Sequence, residues 1–308
     1  MKPILKAEYG SVDGILLLNK PLGLTSNAAL QQVKRYYHAE KAGHTGSLDP
    51  LATGMLPICF GEATKFSQYV LLSDKTYLAT GLLGTKTSTG DAEGEIIASI
   101  DKVNVSEDAL LAVLKGFQGE TLQLPSMFSA LKHQGIPLYR YARKGIVIER
   151  EPRPIQIHEL QLVGYDGKQF VIKVSCTKGT YIRNLIEDIG EKLGTFAYVN
   201  QLHRLYTNGY TSQEMYIVDD LIAMDQNQRL DCLLPIDTPV CHLPRILLTE
   251  IETAHLQQGK IITKLEGTKD TLVRLYDENL EFLGLGVWVS DQLLRAKRLV
   301  RTNHQKKV

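Results

Sequence analysis

The chain has 308 residues, 44% hydrophobic and 22% charged, with 35 basic against 34 acidic side chains for a formal net charge of +1. These values exclude a disordered or low-complexity chain, and at about 150 residues per domain they predict two domains with a sizeable core. No run of about 18 apolar residues is present, so no spanning helix is expected, and residues 1–10 carry Lys2, Lys6 and Glu8 without the apolar stretch of a signal peptide.

Residues 14–19 read as a buried strand, closed by the turn residues Lys20-Pro21-Leu22-Gly23. Thr25 or Ser26 caps a helix to about Tyr37, with Ala29, Leu30, Val33, Tyr36 and Tyr37 on one face. Gly43, Gly46, Pro50 and Gly54 then break the periodicity, and residues 38–55 are expected to form a long functional loop. A strand over 56–60, a helix over 63–72 and a strand over 76–83 follow, then a polar excursion over 84–95. Ser106 caps a short helix to Phe117, and 125–153 reads as irregular and basic. Strands are expected from Ile155 to Leu162 and over 169–176, an amphipathic helix over 180–193, and a strand over 198–205.

Pro235, Pro239 and Pro244 mark a change near residue 240. A helix over 249–258 and short strands over 271–276, 282–289 and 298–300 then suggest a small β-barrel. Strands and helices mix without regular βαβ alternation, which predicts an α+β fold with a mixed sheet. The expected domains are 1–245 and 246–308. Cys59, Cys176, Cys232 and Cys241 form no CxxC pair and read as reduced thiols of a cytoplasmic protein.

The most informative stretch is Gly43-His44-Thr45-Gly46-Ser47-Leu48-Asp49-Pro50-Leu51-Ala52-Thr53-Gly54. Its one carboxylate, Asp49, sits among apolar and glycine neighbours. Partial desolvation makes such a group a stronger nucleophile or base while raising its pKa, and a nearby arginine restores the ionised form. On residue type alone, an Asp-Pro turn and a backbone-bonded loop histidine are the more economical readings of Asp49 and His44. The chain has no P-loop, GxGxxG, HExxH, GxSxG or zinc-deaminase signature. Chemistry with no metal and no cofactor is therefore expected.

This stretch resembles the catalytic motif of the TruB family of pseudouridine synthases. Three further motifs resemble that family in its order. Gly14-Ile15-Leu16-Leu17-Leu18-Asn19-Lys20-Pro21-Leu22-Gly23-Leu24-Thr25-Ser26 matches its N-terminal motif. Gly61-Glu62-Ala63-Thr64-Lys65 with Asp74-Lys75-Thr76-Tyr77 matches its tyrosine motif, and Lys178-Gly179-Thr180-Tyr181-Ile182-Arg183 its arginine motif. Phe282-Leu283-Gly284-Leu285-Gly286 and Lys297-Arg298-Leu299-Val300 resemble the family's RNA-binding PUA domain. Asn19 and Ser47 stand where many relatives carry Asp and Ala; neither change removes a reactive group.

The resemblance implies a stand-alone enzyme that converts uridine 55 in the tRNA T-loop to pseudouridine. It implies Asp49 as nucleophile, Arg183 as its ion-pair partner, and Tyr77 as the platform for the flipped base and a proton relay. Tyr181 then packs near the uracil, Leu202 forms an apolar wall, Lys20 and Pro21 buttress the site, and His44 inserts into the T-loop. The basic segment within 125–153, with Lys132, Arg140, Arg143 and Lys144 and flanked by Arg153, corresponds to a T-loop clamp. Lys297 and Arg298 belong to the RNA-binding module. Such charge runs are otherwise solvated surface. The implied partner is the tRNA elbow, with no obligatory protein partner, a monomeric state and no membrane. tRNA-folding chaperone action is implied beside catalysis. A guide-dependent ribosomal RNA synthase and a purely RNA-binding chaperone are the competing readings. A glycosidase is disfavoured because only one candidate catalytic carboxylate is present, where a pair is usual.

Overall fold

The apolar run after Gly14 forms the strand Gly14–Lys20, with side chains buried on both faces. It pairs antiparallel with Ala52–Phe60 from Gly14↔Phe60 to Lys20↔Gly54. Leu16 and Leu18 join the main core, while Ile15 and Leu17 enter a smaller one on the opposite face with Met55 and Cys59. This two-sided burial explains the unbroken hydrophobic run. The computed structural model describes residues 12–207, 209, 210, 215–265 and 267–301.

These strands belong to a mixed eight-stranded sheet. Its order is Gly14–Lys20, Ala52–Phe60, Ala197–Thr207, Lys75–Leu83, Gln169–Cys176, Arg153–Tyr165 and Gly119–Gln123, with Ala42–His44 paired onto Ala52–Phe60. Ala52–Phe60 and Ala197–Thr207 run parallel through Leu202↔Ala52, His203↔Thr53 and Arg204↔Gly54. On its other side Ala197–Thr207 runs antiparallel to Lys75–Leu83, setting Leu202 opposite Ala79 and Arg204 opposite Tyr77. Tyr77 and Leu202, two of the residues expected to act on a base, thus lie on the central strands of the sheet.

Two helices frame that centre. Ser26–Tyr36 buries Ala29, Leu30 and Val33, and Thr25 rather than Ser26 is its cap, accepting from the Ala28 N–H. Ile182–Lys192 buries Ile182, Leu185, Ile186 and Ile189, each worth roughly 1.5–3 kcal/mol when removed from water. That anchoring fixes the helix's first turn, which carries Arg183.

Several elements differ from expectation. Residues 38–55 are not all loop: Ala42–His44 is a strand, and the next strand begins at Ala52 rather than 56. Tertiary pairing overrides the glycines there. The helix over 63–72 divides into a 3₁₀ turn Gly61–Lys65 and a short helix Ser67–Leu71. The basic segment contains a hairpin, Lys132–His133 with Ile136–Pro137, and a helix Leu138–Ala142. The short helices Val218–Ala223 and Gln226–Asp231 were not anticipated.

The C-terminal strands form an open five-stranded path: Arg245–Leu247, Leu272–Tyr276, Phe282–Ser290, Leu293–Leu299, Ile262–Thr263. The expected strand 298–300 is therefore the end of a longer one, and the expected barrel is a five-stranded sheet whose first and last strands do not pair among the described residues. It has its own core around Leu248, Leu275, Leu283, Trp288 and Leu294. A further cluster, Phe66, Val240, Leu285 and Val300, joins it to the larger unit. Beside that cluster, Glu62 Oε2 accepts from Lys65 Nζ at 2.6 Å and from the Arg301 N–H at 2.6 Å, and Lys65 Nζ also donates to the Leu299 carbonyl at 2.9 Å. No helix among the described residues is long and apolar enough to cross a membrane.

Gly54 marks the tightest backbone approach near the sheet centre. Its φ is +97°, and a Cβ there would lie 2.3 Å from the Arg204 carbonyl oxygen. Gly54→Ala is expected to cost about 2–5 kcal/mol of stability, from left-handed strain plus overpacking. Urea denaturation checks this; a midpoint equal to the parent's would show that the strand pair accommodates the methyl group.

Candidate active site

Asp49 is presented by a turn whose backbone is tied on both sides. The buried Ser26 hydroxyl accepts from the Leu48 N–H at 2.7 Å and donates to the Leu48 carbonyl at 3.0 Å. The Asp49 carbonyl accepts from the Ala52 N–H at 3.0 Å, and the Pro50 carbonyl from the Gly23 N–H at 2.8 Å. Lys20 is fully buried and donates Nζ to the carbonyls of Leu24 (2.6 Å), Pro21 (2.9 Å) and Pro50 (3.4 Å). Burial pulls its pKa down to about 8, against the opposing pull of Asp49. Lys20 therefore braces the turn from below, and the half-buried Pro21 supplies one of the carbonyls.

The Asp49 side chain is 40% exposed, yet its Oδ2 lies 3.0 Å from Nε of the buried Arg183. The surrounding loop desolvates the carboxyl enough to raise its pKa; Arg183 opposes the rise, Asp91 adds to it, and Lys20 opposes it more weakly. Arg183 is fixed independently of Asp49. Nη1 donates to the Thr89 carbonyl at 3.0 Å and lies 3.7 Å from Asp91 Oδ2, and Nη2 donates to the Phe128 carbonyl at 2.8 Å. Asp91 is buried and accepts from the Glu93 N–H at 3.1 Å. One guanidinium thus serves two carboxylates, an arrangement that fixes orientation as well as charge.

Tyr77 is buried, and burial raises its pKa while Arg204 pulls it down. Tyr181 is half-buried at the entrance to the Arg183 helix, and burial raises its pKa too. The Gln123 carboxamide holds the Tyr181 backbone on both sides, accepting from its N–H at 2.8 Å and donating to its carbonyl at 3.0 Å. Leu202 is buried beside Ala79 and Ala52. His44 is half-buried; burial first, then the Arg204 charge, lowers its pKa, which favours the neutral ring. Its buried Nδ1 has no hydrogen-bond partner among the described residues, so the backbone-bonded histidine of the plainer reading is not found at that atom.

The basic residues divide by surroundings. Lys132, Arg140, Arg143, Lys144 and Arg153 are exposed, with the Arg143 guanidinium 5.5 Å from the Tyr139 ring centre. Arg150 instead braces the segment, donating to the Pro125 carbonyl at 2.8 Å. Lys297 and Arg298 are exposed on the second sheet and do not join the Asp49 cluster. Sequence reasoning missed Asp91, Gln123 and Arg204. The turn residues around Gly90 were the available signal for Asp91; nothing in the local sequence separates Arg204 from an ordinary strand arginine.

The fold that carries this site is shared with solved structures. A solved structure titled as a Cbf5-Nop10-Gar1 complex matches with TM-score 0.70 and 23% identity over 95% of this chain and 85% of that one. An H/ACA RNP structure bound to a substrate RNA matches with TM-score 0.71 and 21% identity over 97% and 87%. Family models described as the N-terminal domain of TruB family pseudouridylate synthase, the tRNA pseudouridylate synthase B C-terminal domain, and pseudouridine synthase II TruB, C-terminal, match residues 34–182, 183–241 and 244–300. The chain belongs to the TruB family of pseudouridylate synthases. A relative from Legionella pneumophila (strain Lens), named tRNA pseudouridine synthase B, is 54% identical over 94% of this chain and 96% of its own length. One of the same name from Marinomonas sp. (strain MWYL1) is 47% identical over 97% and 99%.

Proposed function

We propose that this chain is a stand-alone tRNA pseudouridine synthase that isomerises the T-loop uridine at position 55, with Asp49 as its essential carboxylate. The observation that carries the reading is the Asp49–Arg183 ion pair, open to solvent on the Asp49 side and near enough to Tyr77 and Tyr181 for its charges to act on both phenols. The curated relatives' shared name supports tRNA as substrate. The reaction exchanges the N1–C1′ bond of uridine for a C5–C1′ bond, and the proton lost from C5 is balanced by one gained at N1. Asp49 assists cleavage, Arg183 keeps it ionised and aimed, and Tyr77 stacks on the flipped base and relays the C5 proton. Unstacking the uridine costs a few kcal/mol, which stacking at about 1–3 kcal/mol per base offsets. Tyr181 and Leu202 pack against the uracil, Lys20 and Pro21 hold the turn, and His44 enters the space the base vacates.

In this reading residues 1–245 form the catalytic domain, and the basic segment at 125–153 clamps the T-loop. Residues 246–308 form a PUA-like RNA-binding domain. The protein acts as a cytoplasmic monomer without cofactor or obligatory partner, and it also assists tRNA folding. With about six phosphates neutralised by the exposed cations, log K for tRNA should fall by about 4–5 per tenfold rise in salt. Filter binding across a salt series measures the slope, and a flat dependence would count against the two basic surfaces.

The deciding experiment incubates the protein with an unmodified tRNA transcript, without partner RNA or added cofactor, and maps pseudouridine at single-nucleotide resolution. Product at the T-loop uridine supports the reading. Product only when a guide RNA and partner proteins are added would transfer the assignment to the guide-dependent class.

A further inference from the structure

Arg204 is the largest fully buried side chain among the described residues, at 1% exposure. Its guanidinium forms no ion pair among the described residues, unlike that of Arg183. Nε donates to the Met55 carbonyl at 2.7 Å and Nη2 to the Gly46 carbonyl at 3.0 Å. Nη1 lies 3.5 Å from the position a Gly46 Cβ would take, an ordinary contact distance, and the φ of +82° at Gly46 is what favours glycine there. Across the sheet its Cα faces Tyr77. The Arg204 charge lowers the pKa of Tyr77 and of the basic groups Lys20, His44 and Lys75. Lys75 is itself occupied, donating to the carbonyls of Leu71 at 2.9 Å and Val70 at 3.3 Å, and to that of Ser73.

Burying an unpaired guanidinium is costly, and the group cannot escape by losing its proton. An apolar residue would fill the sheet centre at less cost. What a planar fork provides is two separate donor nitrogens in fixed geometry, Nε and Nη2, each committed to a carbonyl of a different element. One carbonyl lies in the turn three residues before Asp49; the other lies in the strand that follows the turn. Resting on the synthase reading above, we propose that Arg204 is a positioning residue for catalysis: it fastens the Gly46 end of the Asp49 turn to the strand pair that carries Tyr77, so nucleophile and base platform are held at one separation.

The test compares Arg204→Lys and Arg204→Gln with the parent on full-length tRNA, measuring kcat, KM, tRNA binding and thermal denaturation. A lysine keeps the charge but replaces the two fixed donor nitrogens with a single ammonium on a flexible stem. Misplacing the turn by an ångström is expected to lower kcat about 100-fold in both variants, with KM for tRNA within about twofold. Two outcomes overturn the proposal. One is a kcat near the parent's in either variant. The other is a kcat loss that tracks the loss of folded protein and of tRNA binding, which would make Arg204 a packing residue only. A parent that makes no pseudouridine, by contrast, refutes the synthase reading itself.

Discussion

Asp49→Asn is expected to abolish pseudouridine formation while leaving the fold and tRNA binding in place. The substitution keeps size and shape and removes only the charge. The turn does not depend on the carboxylate, because Ser26, Lys20 and the Gly23 N–H hold it through backbone groups. Arg183 also keeps its Thr89 and Phe128 carbonyls and its approach to Asp91. Loss of an essential nucleophile should lower the rate on the order of 10⁴-fold or more. Single-turnover conversion of a tRNA transcript, read beside filter binding, separates the two effects. A variant that still converts uridine within about tenfold of the parent rate would remove Asp49 from its assigned role.

Changing Arg183 should move the pH profile in a defined direction as well as slow the reaction. The active form of Asp49 is the carboxylate, so the rate falls as pH drops through its pKa. Desolvation has already lifted that pKa above the ordinary aspartate range, and Arg183 opposes the lift. In Arg183→Gln the opposing charge is gone, and the acid limb should shift to higher pH. At neutral pH the rate should fall by about 10²–10³-fold, since the fork that orients the carboxylate is lost too. Single-turnover rates across acid and neutral pH at constant ionic strength measure both. An acid limb that stays put or moves down would show that Arg183 does not set the ionisation of Asp49.

The parts of the fold that obey one local rule were legible in the sequence. The alternating strand Gln169–Cys176 and the helix capped by Ser106 lie where the periodicity places them. Thr249 begins its helix with a full capping box to Glu252. The glycine-rich stretch was misread as wholly irregular because Ala42–His44 and the start of Ala52–Phe60 owe their strand geometry to partners far away in sequence. The six-residue helices Val218–Ala223 and Gln226–Asp231 are too short to show a clear period. The Asp49–Arg183 pairing, implied by resemblance, is present in the geometry at 3.0 Å. Asp91 and Arg204 escaped because their significance is burial beside other charges, and isolated charged residues in a turn or strand carry no such mark.

The joint at Glu62 and Lys65 has a consequence for how a long substrate is held. Glu62 grips the Arg301 backbone and Lys65 the Leu299 carbonyl, at the end of the strand that bears Lys297 and Arg298. The two basic surfaces are thereby fastened to one another rather than strung on a slack tether. If, as proposed above, both surfaces bind tRNA, an RNA long enough to span them would make its second contact as an intramolecular event at high effective concentration. The same fastening acts as a ruler: an RNA whose two contact points lie at another spacing gains only one of them.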